Sequence, residues 1–418
     1  GSQMTRGEKV CAFISEFCPI PEGRFVGQPI RLDPFQRKFI LEVYDNPHGT
    51  RKGILSIARK NGKTALIAGI LLAHIAGPEA VENSQIVSGA MSRDQAALVF
   101  QAASKMVNLS DRLRDLVRIV PSSKRLIGLR KNVEYRALAA EGATAHGLSP
   151  ILAILDEVGQ IKGESDPFVD AILTSQGAYD EPLLLLISTQ AASDKAYLSI
   201  EIDDGLSGRD PQTVCHLYTA DEDCDLMDEA QWKAGNPALG TFRSLEDVRR
   251  QAERASKIPS AEPAFRNLTL NQRVELMAPF VSRTAWKACD GPIGAPQTVY
   301  AGLDLSSVSD LTALVLVWQE GAEWHVKPYF WTPAEGIRER SQRDRQPYDV
   351  WAANGHLLTT PGAVIDYDFI ARFVLSLPVE FAQIGFDRWR MDQFKASLKR
   401  EGASDDFIDR FEPFGQGF

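Results

Sequence analysis

The sequence is poor in the residues and segments that define several protein classes. Its five cysteines include no Cys-x-x-Cys pair, and its six histidines form no metal-spaced cluster. This argues against a disulfide framework or a zinc site and favours reduced thiols in a cytoplasm. No run approaches the roughly 18 apolar residues that a membrane-spanning helix needs, and no apolar signal segment precedes the first charges. These absences predict a cytoplasmic protein without a membrane anchor.

An excess of positive charge is also missing, since the formal net charge is −9. A static, high-affinity DNA binder is usually basic, so this class is disfavoured. DNA is not excluded as a partner, because the local charge of the binding face decides that interaction. The 418 residues, 44% of them hydrophobic and 24% charged, are typical of a globular protein with two or three domains.

The sequence does contain an alternation of short apolar strands and helices. In its first half, strands are predicted at 54–58, 84–90, 151–155 and 182–187, and helices at 35–44, 64–76 and 92–107. Such alternation predicts an α/β fold whose mainly parallel sheet is covered on both faces. Residues 221–275 are polar and mostly helical. We therefore expect a first α/β domain at 1–210 and a small helical linking subdomain at 211–280.

The strand pattern returns near residue 298. Successive strands are predicted at 299–305, 312–319 and 324–330, and they indicate an antiparallel meander. A predicted helix at 366–377 and a predicted strand at 381–386 follow it. This order predicts a second α/β domain with a mixed sheet at 281–418.

The stretch SIARKNGKTAL, which begins at residue 56, ends like a phosphate-binding loop. Such a loop needs backbone N–H groups that face an anion, a lysine for the β- and γ-phosphates and a hydroxyl for Mg²⁺. A predicted strand precedes the stretch and a predicted helix follows it, but Ile57 stands where the loop usually begins with glycine. We name residues 57–64 the phosphate loop. Its candidate nucleotide ligands are Asn61, Gly62, Lys63 and Thr64, and Thr64 is also a candidate metal ligand.

A second motif is ILAILDE, in which a predicted apolar strand ends in Asp156 and Glu157. Asp156 would hold Mg²⁺, directly or through water, and Glu157 would polarise the attacking water of a hydrolysis reaction. The alternative explanation is a strand that ends in acids because a helix begins there. The two motifs together, in this order, favour an ATPase.

Two further polar groups extend this prediction. The strand at 182–187 ends in Ser188 and Thr189, at the sheet edge where ligands bind, so these residues are candidates to sense the γ-phosphate. Gln36, in the stretch LDPFQ, is a candidate for adenine recognition through its amide. The alternative for Gln36 is an exposed residue of the predicted helix.

The order of LDPFQ, the phosphate loop, ILAILDE and the strand that ends in Ser188-Thr189 resembles the large terminase subunit of tailed double-stranded-DNA bacteriophages, most of all the lambda-like long-tailed type. The stretches YAGLDLSSVSDLTALVLVW (300–318) and IGFDRWR (384–390) are similar to strands of the terminase nuclease. The resemblance covers nearly the whole chain from about residue 30. It implies a genome-packaging motor in which a P-loop ATPase domain is joined to an RNase H-like nuclease domain.

The resemblance also implies cofactors, partners and location. The cofactors would be ATP with Mg²⁺, and two Mg²⁺ or Mn²⁺ ions for the nuclease. The partners would be double-stranded DNA, a portal protein, a small terminase subunit and a procapsid. The active form would be a homo-oligomeric ring, and a monomer in solution is left open for the free protein. The expected location is the host cytoplasm, with a transient stay on the procapsid. The number of subunits and the choice between cohesive-end and headful cutting are left open.

For the phosphate loop, the resemblance implies that Arg59 acts on the phosphates within its own subunit. A guanidinium would stabilise the charge that spreads over the γ-phosphate, although a solvated loop cation is the alternative. Motors of this family commonly use a second arginine from the neighbouring subunit, often just before the acidic strand, where this chain has no arginine. The candidates left open are His146, Arg93, Arg209 and Arg243.

For the second domain, the resemblance implies a two-metal nuclease site, which needs several carboxylates around the two ions. Asp304 is expected within the first strand, where a buried acid needs a metal or another partner. Asp387 directly follows the strand at 381–386, and Asp310 is a candidate accessory ligand. No later acid resembles the third carboxylate of the family, so we expect it beyond residue 418, in a segment that this chain lacks.

Two other functions are compatible with the sequence. A helicase-like nucleic-acid translocase would share the ATPase but would have no cutting role, and Asp304 with Asp387 distinguishes it from a packaging enzyme. A structural docking protein with a vestigial nucleotide site would have no need for Glu157.

Overall fold

A computed structural model of the chain describes residues 3–141, 147–274, 281, 283–306, 310–388 and 390–415. The chain folds into two compact units, Gly1–Cys289 and Asp290–Phe418. Each unit has its own sheet and its own hydrophobic core. Within the described ranges, none of the helices combines the length and the apolarity that crossing a bilayer requires.

The first unit contains strands and helices in alternation. In chain order they are α1 (Arg6–Phe17), α2 (Pro34–Tyr44), β1 (Lys52–Ser56), α3 (Lys63–Ile75), β2 (Gln85–Ala90), α4 (Arg93–Leu109), α5 (Asp111–Leu116), β3 (Val117–Val120), β4 (Arg125–Gly128), β5 (Val133–Ala139), β6 (Pro150–Asp156), α6 (Pro167–Ser175), β7 (Leu183–Ser188), α7 (Tyr197–Leu206), β8 (Thr213–Leu217), α8 (Glu229–Gly235), α9 (Leu245–Lys257), α10 (Glu262–Ala264) and α11 (Arg283–Ala288). A π-helical turn, Phe265–Thr269, continues α10.

Eight strands of this unit form one sheet in the order β3-β4-β5-β2-β6-β7-β1-β8. Its neighbouring strands are parallel except at β3–β4 and β4–β5. Alternate residues of β7 belong to two different core clusters: Leu185 packs with α1 to α4, and Leu184 packs with α6 and α7. The sheet is therefore covered on both faces, which explains the uninterrupted apolar strands and confirms the predicted mainly parallel architecture.

The first sheet continues past residue 210, because β8 pairs with β1 at its edge. β8 has the sequence TVCHL, is half-buried throughout and contains no apolar run, so the sequence did not predict it as a strand. It lies within residues 211–280, which were predicted to form the linking subdomain. The residues after β8 form a small helical cluster around Trp232, Val248 and Phe265. The helical character predicted for 221–275 is therefore confirmed for the part of it that the structure describes.

The second unit has a mixed sheet with helices between its strands. Its elements are β9 (Thr298–Asp304), β10 (Thr312–Glu320), β11 (Glu323–Pro333), α12 (Ile337–Asp344), α13 (Tyr348–Ala353), β12 (Leu358–Thr360), α14 (Tyr367–Ser376), β13 (Glu380–Phe386), α15 (Met391–Arg400), α16 (Asp405–Ile408) and β14 (Phe411–Pro413).

The strand order of the second sheet is β12-β11-β10-β9-β13-β14. β9, β10 and β11 form the predicted antiparallel meander, and β13 lies parallel to β9. Ile370 and Val374 of α14 and Phe394 of α15 pack in one core cluster with Val299 and Leu303 of β9. This arrangement confirms the predicted mixed sheet and places the ends of β9 and β13 side by side.

Candidate active sites

The phosphate loop joins β1 to α3, so its last residues lie at the amino terminus of a helix. Gly62 caps α3 with a left-handed backbone (φ 78°), and Lys60 is also left-handed (φ 64°). Such a backbone is uncommon for a residue with a β-carbon and is often found at functional sites. Ile57 is 1% exposed and belongs to the core, which explains why an apolar residue stands in place of the first glycine. The loop thus ends in the free N–H groups that bind anions at helix amino termini.

Lys63 brings the two predicted motifs together. Its Nζ atom lies 2.9 Å from Oδ1 of Asp156 and also contacts Oε1 of Glu157. Burial lowers the pKa of the Lys63 ammonium, while the charge and hydrogen bond of Asp156 oppose this effect. Both carboxylates are nearly inaccessible to solvent. The end of β6 is therefore a cation site, and its carboxylate oxygens, with the hydroxyl of Thr64 in the first turn of α3, are the donors that Mg²⁺ prefers.

The acidic turn after β6 is tied to the end of the neighbouring strand β7. Glu157 has a left-handed backbone (φ 54°), and the N–H of Gly159 donates to Oγ of Ser188 at 2.9 Å. The hydroxyl of Thr189 donates to the carbonyl of Ile57 at 3.0 Å. Ser188 and Thr189 thus connect the acidic turn, the β7 end and the phosphate loop.

Gly159 is a site residue that the sequence did not reveal. A β-carbon at this position would lie 2.2 Å from the carbonyl oxygen of Thr189. The acidic turn can therefore approach β7 this closely only because residue 159 has no side chain. The signal available in the sequence was a glycine shortly after an acidic pair.

Arg59 shares a cavity of about 510 Å³ with Glu157 and Thr189. Its side chain is exposed, and its backbone N–H donates to the carbonyl of Leu268 at 3.0 Å. The preceding N–H, that of Ala58, donates to the carbonyl of Gly235 at 3.1 Å. The linking subdomain therefore holds the backbone of the phosphate loop in the position that directs Arg59 toward the cavity.

The side chain of Asn61 connects the phosphate loop to the linking subdomain. The side chain is fully buried, its Nδ2 donates to Oδ1 of Asn236 at 2.8 Å, and its Oδ1 accepts from the N–H of Ala238 at 3.1 Å. The amide is engaged by the linking subdomain, so a contribution of Asn61 to nucleotide binding would fall to its backbone N–H.

Gln36 lies beside the phosphate loop. It is 2% exposed, which makes the alternative of an exposed helix residue wrong. Its Oε1 accepts from the N–H of Asp33 at 2.9 Å in a capping box, and its Nε2 would lie 3.5 Å from a β-carbon placed on Gly62. A side chain that was predicted from LDPFQ alone thus reaches the glycine that precedes Lys63.

The candidates for a cation supplied to a neighbouring subunit differ in their accessibility. Arg243 is 4% exposed and pairs with Asp247 of its own subunit. Arg93 and Arg209 are exposed, and Arg209 lies 3.5 Å from Asp204. His146 lies outside the described residues. Exposure therefore favours Arg93 and Arg209 over Arg243.

In the second unit, two predicted carboxylates are neighbours in strand register. Leu303 of β9 is paired with Phe386 of the parallel strand β13, and each is followed directly by an aspartate, Asp304 and Asp387. Adjacent strands lie about 4.8 Å apart, so the two carboxylates emerge side by side at one sheet edge. Oxygen donors in this arrangement suit a hard divalent cation.

Asp304 is exposed as the last residue of β9, so the expectation of a buried acid within the strand is wrong. Beyond it, the N–H of Ser306 donates to Oγ1 of Thr312 at 3.0 Å, and Tyr367 donates its hydroxyl to the Ser306 carbonyl at 2.6 Å. These contacts fix the end of β9. Asp310, which lies shortly before β10 in the chain, is also exposed.

No group of three or more His, Cys, Asp or Glu residues with metal-binding geometry occurs in the described part of the chain. Within that part, Asp304 and Asp387 are therefore not joined by a third ligand of these residue types. The acids near the carboxyl end, Asp405, Asp406 and Asp409, are exposed.

Two family models match successive parts of the chain. A family model described as terminase large subunit, ATPase domain, matches residues 34–202, and one described as terminase large subunit, endonuclease domain, matches residues 209–408. The second match disfavours a translocase without a cutting role.

The large terminase subunit of Enterobacteria phage HK97 is 57% identical over 419 residues, which cover 99% of this chain and 82% of that protein. A crystal structure of the HK97 bacteriophage large terminase is 56% identical, with a TM-score of 0.63 over 99% of this chain and 86% of that one. Protein YmfN of Escherichia coli (strain K12) is 24% identical over 244 residues, 54% of this chain and 53% of that protein.

Proposed function

The chain belongs to the terminase large subunit family and has its ATPase and endonuclease domains, and we propose that it is the motor that drives double-stranded DNA into a procapsid and cuts concatemeric DNA. The first unit would hydrolyse ATP, and the second would cleave the duplex. The observation that supports the motor most strongly is the contact of Lys63 with both Asp156 and Glu157.

In the proposed ATPase reaction, the ammonium of Lys63 and the N–H groups at the start of α3 bind the β- and γ-phosphates. The carboxylate of Glu157 orients the attacking water and accepts its proton. Arg59 reaches the same cavity and stabilises the charge that develops on the γ-phosphate. When bound at Thr64 and Asp156, Mg²⁺ would supply charge neutralisation at the phosphates.

The test of this assignment is ATP turnover by Glu157→Gln. We expect a loss of about 100-fold or more in kcat with nucleotide binding retained, because the neutral amide keeps the shape of the side chain but cannot accept a proton. Glu253→Gln, at an exposed glutamate of α9, serves as the control. Equal turnover in Glu157→Gln and the parent would contradict the assignment.

For the nuclease, we propose that Asp304 and Asp387 hold divalent metal ions, with Asp310 as an accessory ligand. Two such ions, when bound, would polarise the scissile phosphate and the attacking water. Arg388 and Arg390 are exposed beside Asp387 and are suited to contacts with the DNA backbone.

The proposed assembly is a homo-oligomeric ring in the host cytoplasm that engages a portal protein, a small terminase subunit and a procapsid. Either Arg93 or Arg209 would complete the nucleotide site of the next subunit. The proposed functional division is an ATPase domain at 1–210, a linking subdomain at 211–280 and a nuclease domain at 281–418, with β8 as an edge strand of the first sheet.

A further inference from the structure

Phe242 lies against the phosphate loop although it belongs to the linking subdomain. A β-carbon placed on Gly62 would be 3.1 Å from Cδ2 and 3.3 Å from Cγ of Phe242. The ring therefore packs on the backbone of Gly62, which can be approached this closely because it has no side chain. The same β-carbon position is 3.5 Å from Nε2 of Gln36, so the ring and the amide meet at one point of the loop.

The position of Phe242 is fixed from both sides. Before it, the hydroxyl of Thr241 donates to Oδ2 of Asp33 at 2.7 Å, and Asp33 caps the helix that contains Gln36. After it, the carbonyl of Arg243 accepts from the N–H of Gly240 at 2.8 Å, which closes a tight backbone turn at residues 240–243. The backbone on either side of Phe242 is thus held by hydrogen bonds that are independent of the contact between its ring and Gly62.

Core packing does not account for this ring, because Phe242 is 43% exposed. An aromatic ring that packs on the phosphate loop near the Gln36 amide, and that remains 43% exposed, is suited to contact with a flat heteroaromatic group. The amide of Gln36 has an NH₂ group to donate and a second lone pair on Oε1 to accept. A purine base offers both an acceptor and a donor on one edge, as adenine does with N7 and the N6 amino group.

We infer that Phe242 is the stacking platform for the adenine base of bound ATP, while Gln36 hydrogen-bonds the edge of the same base. This inference rests on the proposed ATPase function and adds a base-binding residue from outside the region 34–202 that matches the ATPase family model. It also means that the linking subdomain contacts the base directly, not only the backbone of the phosphate loop.

The test compares two ligands, because packing on Gly62 alone would affect both. Calorimetry with the full chain measures the Kd of the non-hydrolysable analogue adenylyl imidodiphosphate and that of inorganic tripolyphosphate, which has no base. Stacking of a base on an aromatic ring predicts a roughly tenfold weaker Kd for the analogue in Phe242→Ala. The Kd of tripolyphosphate should stay unchanged, and Phe242→Trp should restore the analogue's affinity. Phe25→Ala, which removes a ring that is 52% exposed, serves as the matched control.

Two results would overturn the inference: an unchanged Kd for the analogue in Phe242→Ala, or an equal loss for both ligands, which would assign the ring to support of the loop. Failure of the ATPase assignment is seen separately, as undiminished turnover in Glu157→Gln. Because binding and turnover are measured on different variants, the two failures are distinguishable.

Discussion

Single residues decide how closely the acidic turn approaches β7, and Gly159 is the clearest example. In Gly159→Ala, the added carbon would lie 2.2 Å from the Thr189 carbonyl oxygen and 3.1 Å from Oγ of Ser188, so the backbone must move. Overpacking of this kind costs about 1–3 kcal/mol. We expect a lower urea midpoint and reduced ATP turnover, because Glu157 moves with the turn.

Gly177→Ala is the matched control for this prediction, since a β-carbon there meets nothing within 4 Å. Equal midpoints and turnover rates for the two alanine variants would show that the acidic turn tolerates the displacement.

The sequence identified the residues whose chemistry is local. Lys63 follows a glycine at a helix start, and Asp156 and Glu157 end an apolar strand, so their roles could be predicted from contiguous motifs. The contacts of Phe242 and Asn236 with the phosphate loop could not be predicted, because they join residues more than 170 positions apart in the chain. The hydrogen bond between Asn61 and Asn236, for example, spans 175 positions.

Among the helices, α3 is the one that presents the phosphate loop, and its last turn contains a buried titratable group. His74 is 6% exposed, and its Nε2 lies 2.7 Å from the hydroxyl of Tyr44. Burial lowers the pKa of His74 from 6.5 to about 4. The carboxyl terminus of a helix would stabilise a charged imidazole by about 0.3–1 kcal/mol and so raise its pKa. Because the pKa of His74 is lowered instead, the cost of removing the charged ring from water is the larger effect.

The lowered pKa of His74 makes the stability of the first unit depend on pH. Because the folded state binds fewer protons than the unfolded state between about pH 4 and 6.5, its stability is lost as pH falls through this window. The loss is at most ~1.4 kcal/mol for each pH unit. Urea midpoints at pH 7 and pH 5 should therefore converge in His74→Gln, which keeps an acceptor for Tyr44.

His48→Gln, at an exposed histidine, is the matched control and should keep the midpoint difference of the parent. If His74→Gln also keeps the full difference, another group is responsible for the acid sensitivity.

Strands and helices could be predicted from the sequence where the strand is buried on both faces or where buried and exposed residues alternate regularly. β6, β7, β10 and the helices around the phosphate loop follow from apolar periodicity. β3 and β4 are four residues each, and β8 is a half-buried edge strand, so their sequences lack a clear period. Pairing with a neighbouring strand, which no local pattern reports, is what makes them strands.

At the scale of the whole chain, our proposal gives ATP hydrolysis to the first unit and metal-dependent DNA cleavage to the second. We therefore expect Asp304→Asn and Asp387→Asn to weaken Mn²⁺ binding by at least about tenfold, because each removes a charged oxygen ligand. DNA cleavage should fall in parallel, while ATP turnover should stay within about twofold of the parent. Calorimetric Mn²⁺ titration without nucleotide gives a readout that does not depend on cleavage.

Asp406→Asn changes an exposed aspartate of the same unit and should leave Mn²⁺ binding unchanged. Unaltered Mn²⁺ binding in both Asp304→Asn and Asp387→Asn would mean that the paired strand ends are not the metal site.

The backbone hydrogen bonds from Ala58 to Gly235 and from Arg59 to Leu268 set the limits of an autonomous nucleotide-binding fragment. A piece that ended at residue 210 would include both nucleotide motifs, yet the N–H groups of its phosphate loop would lose their acceptors, and the buried amide of Asn61 would lose Asn236. Whether a fragment can fold its phosphate loop on its own therefore depends on whether it contains the hydrogen-bond partners of the loop. Containing the two nucleotide motifs is not sufficient. A fragment that keeps these backbone acceptors must extend at least through Leu268.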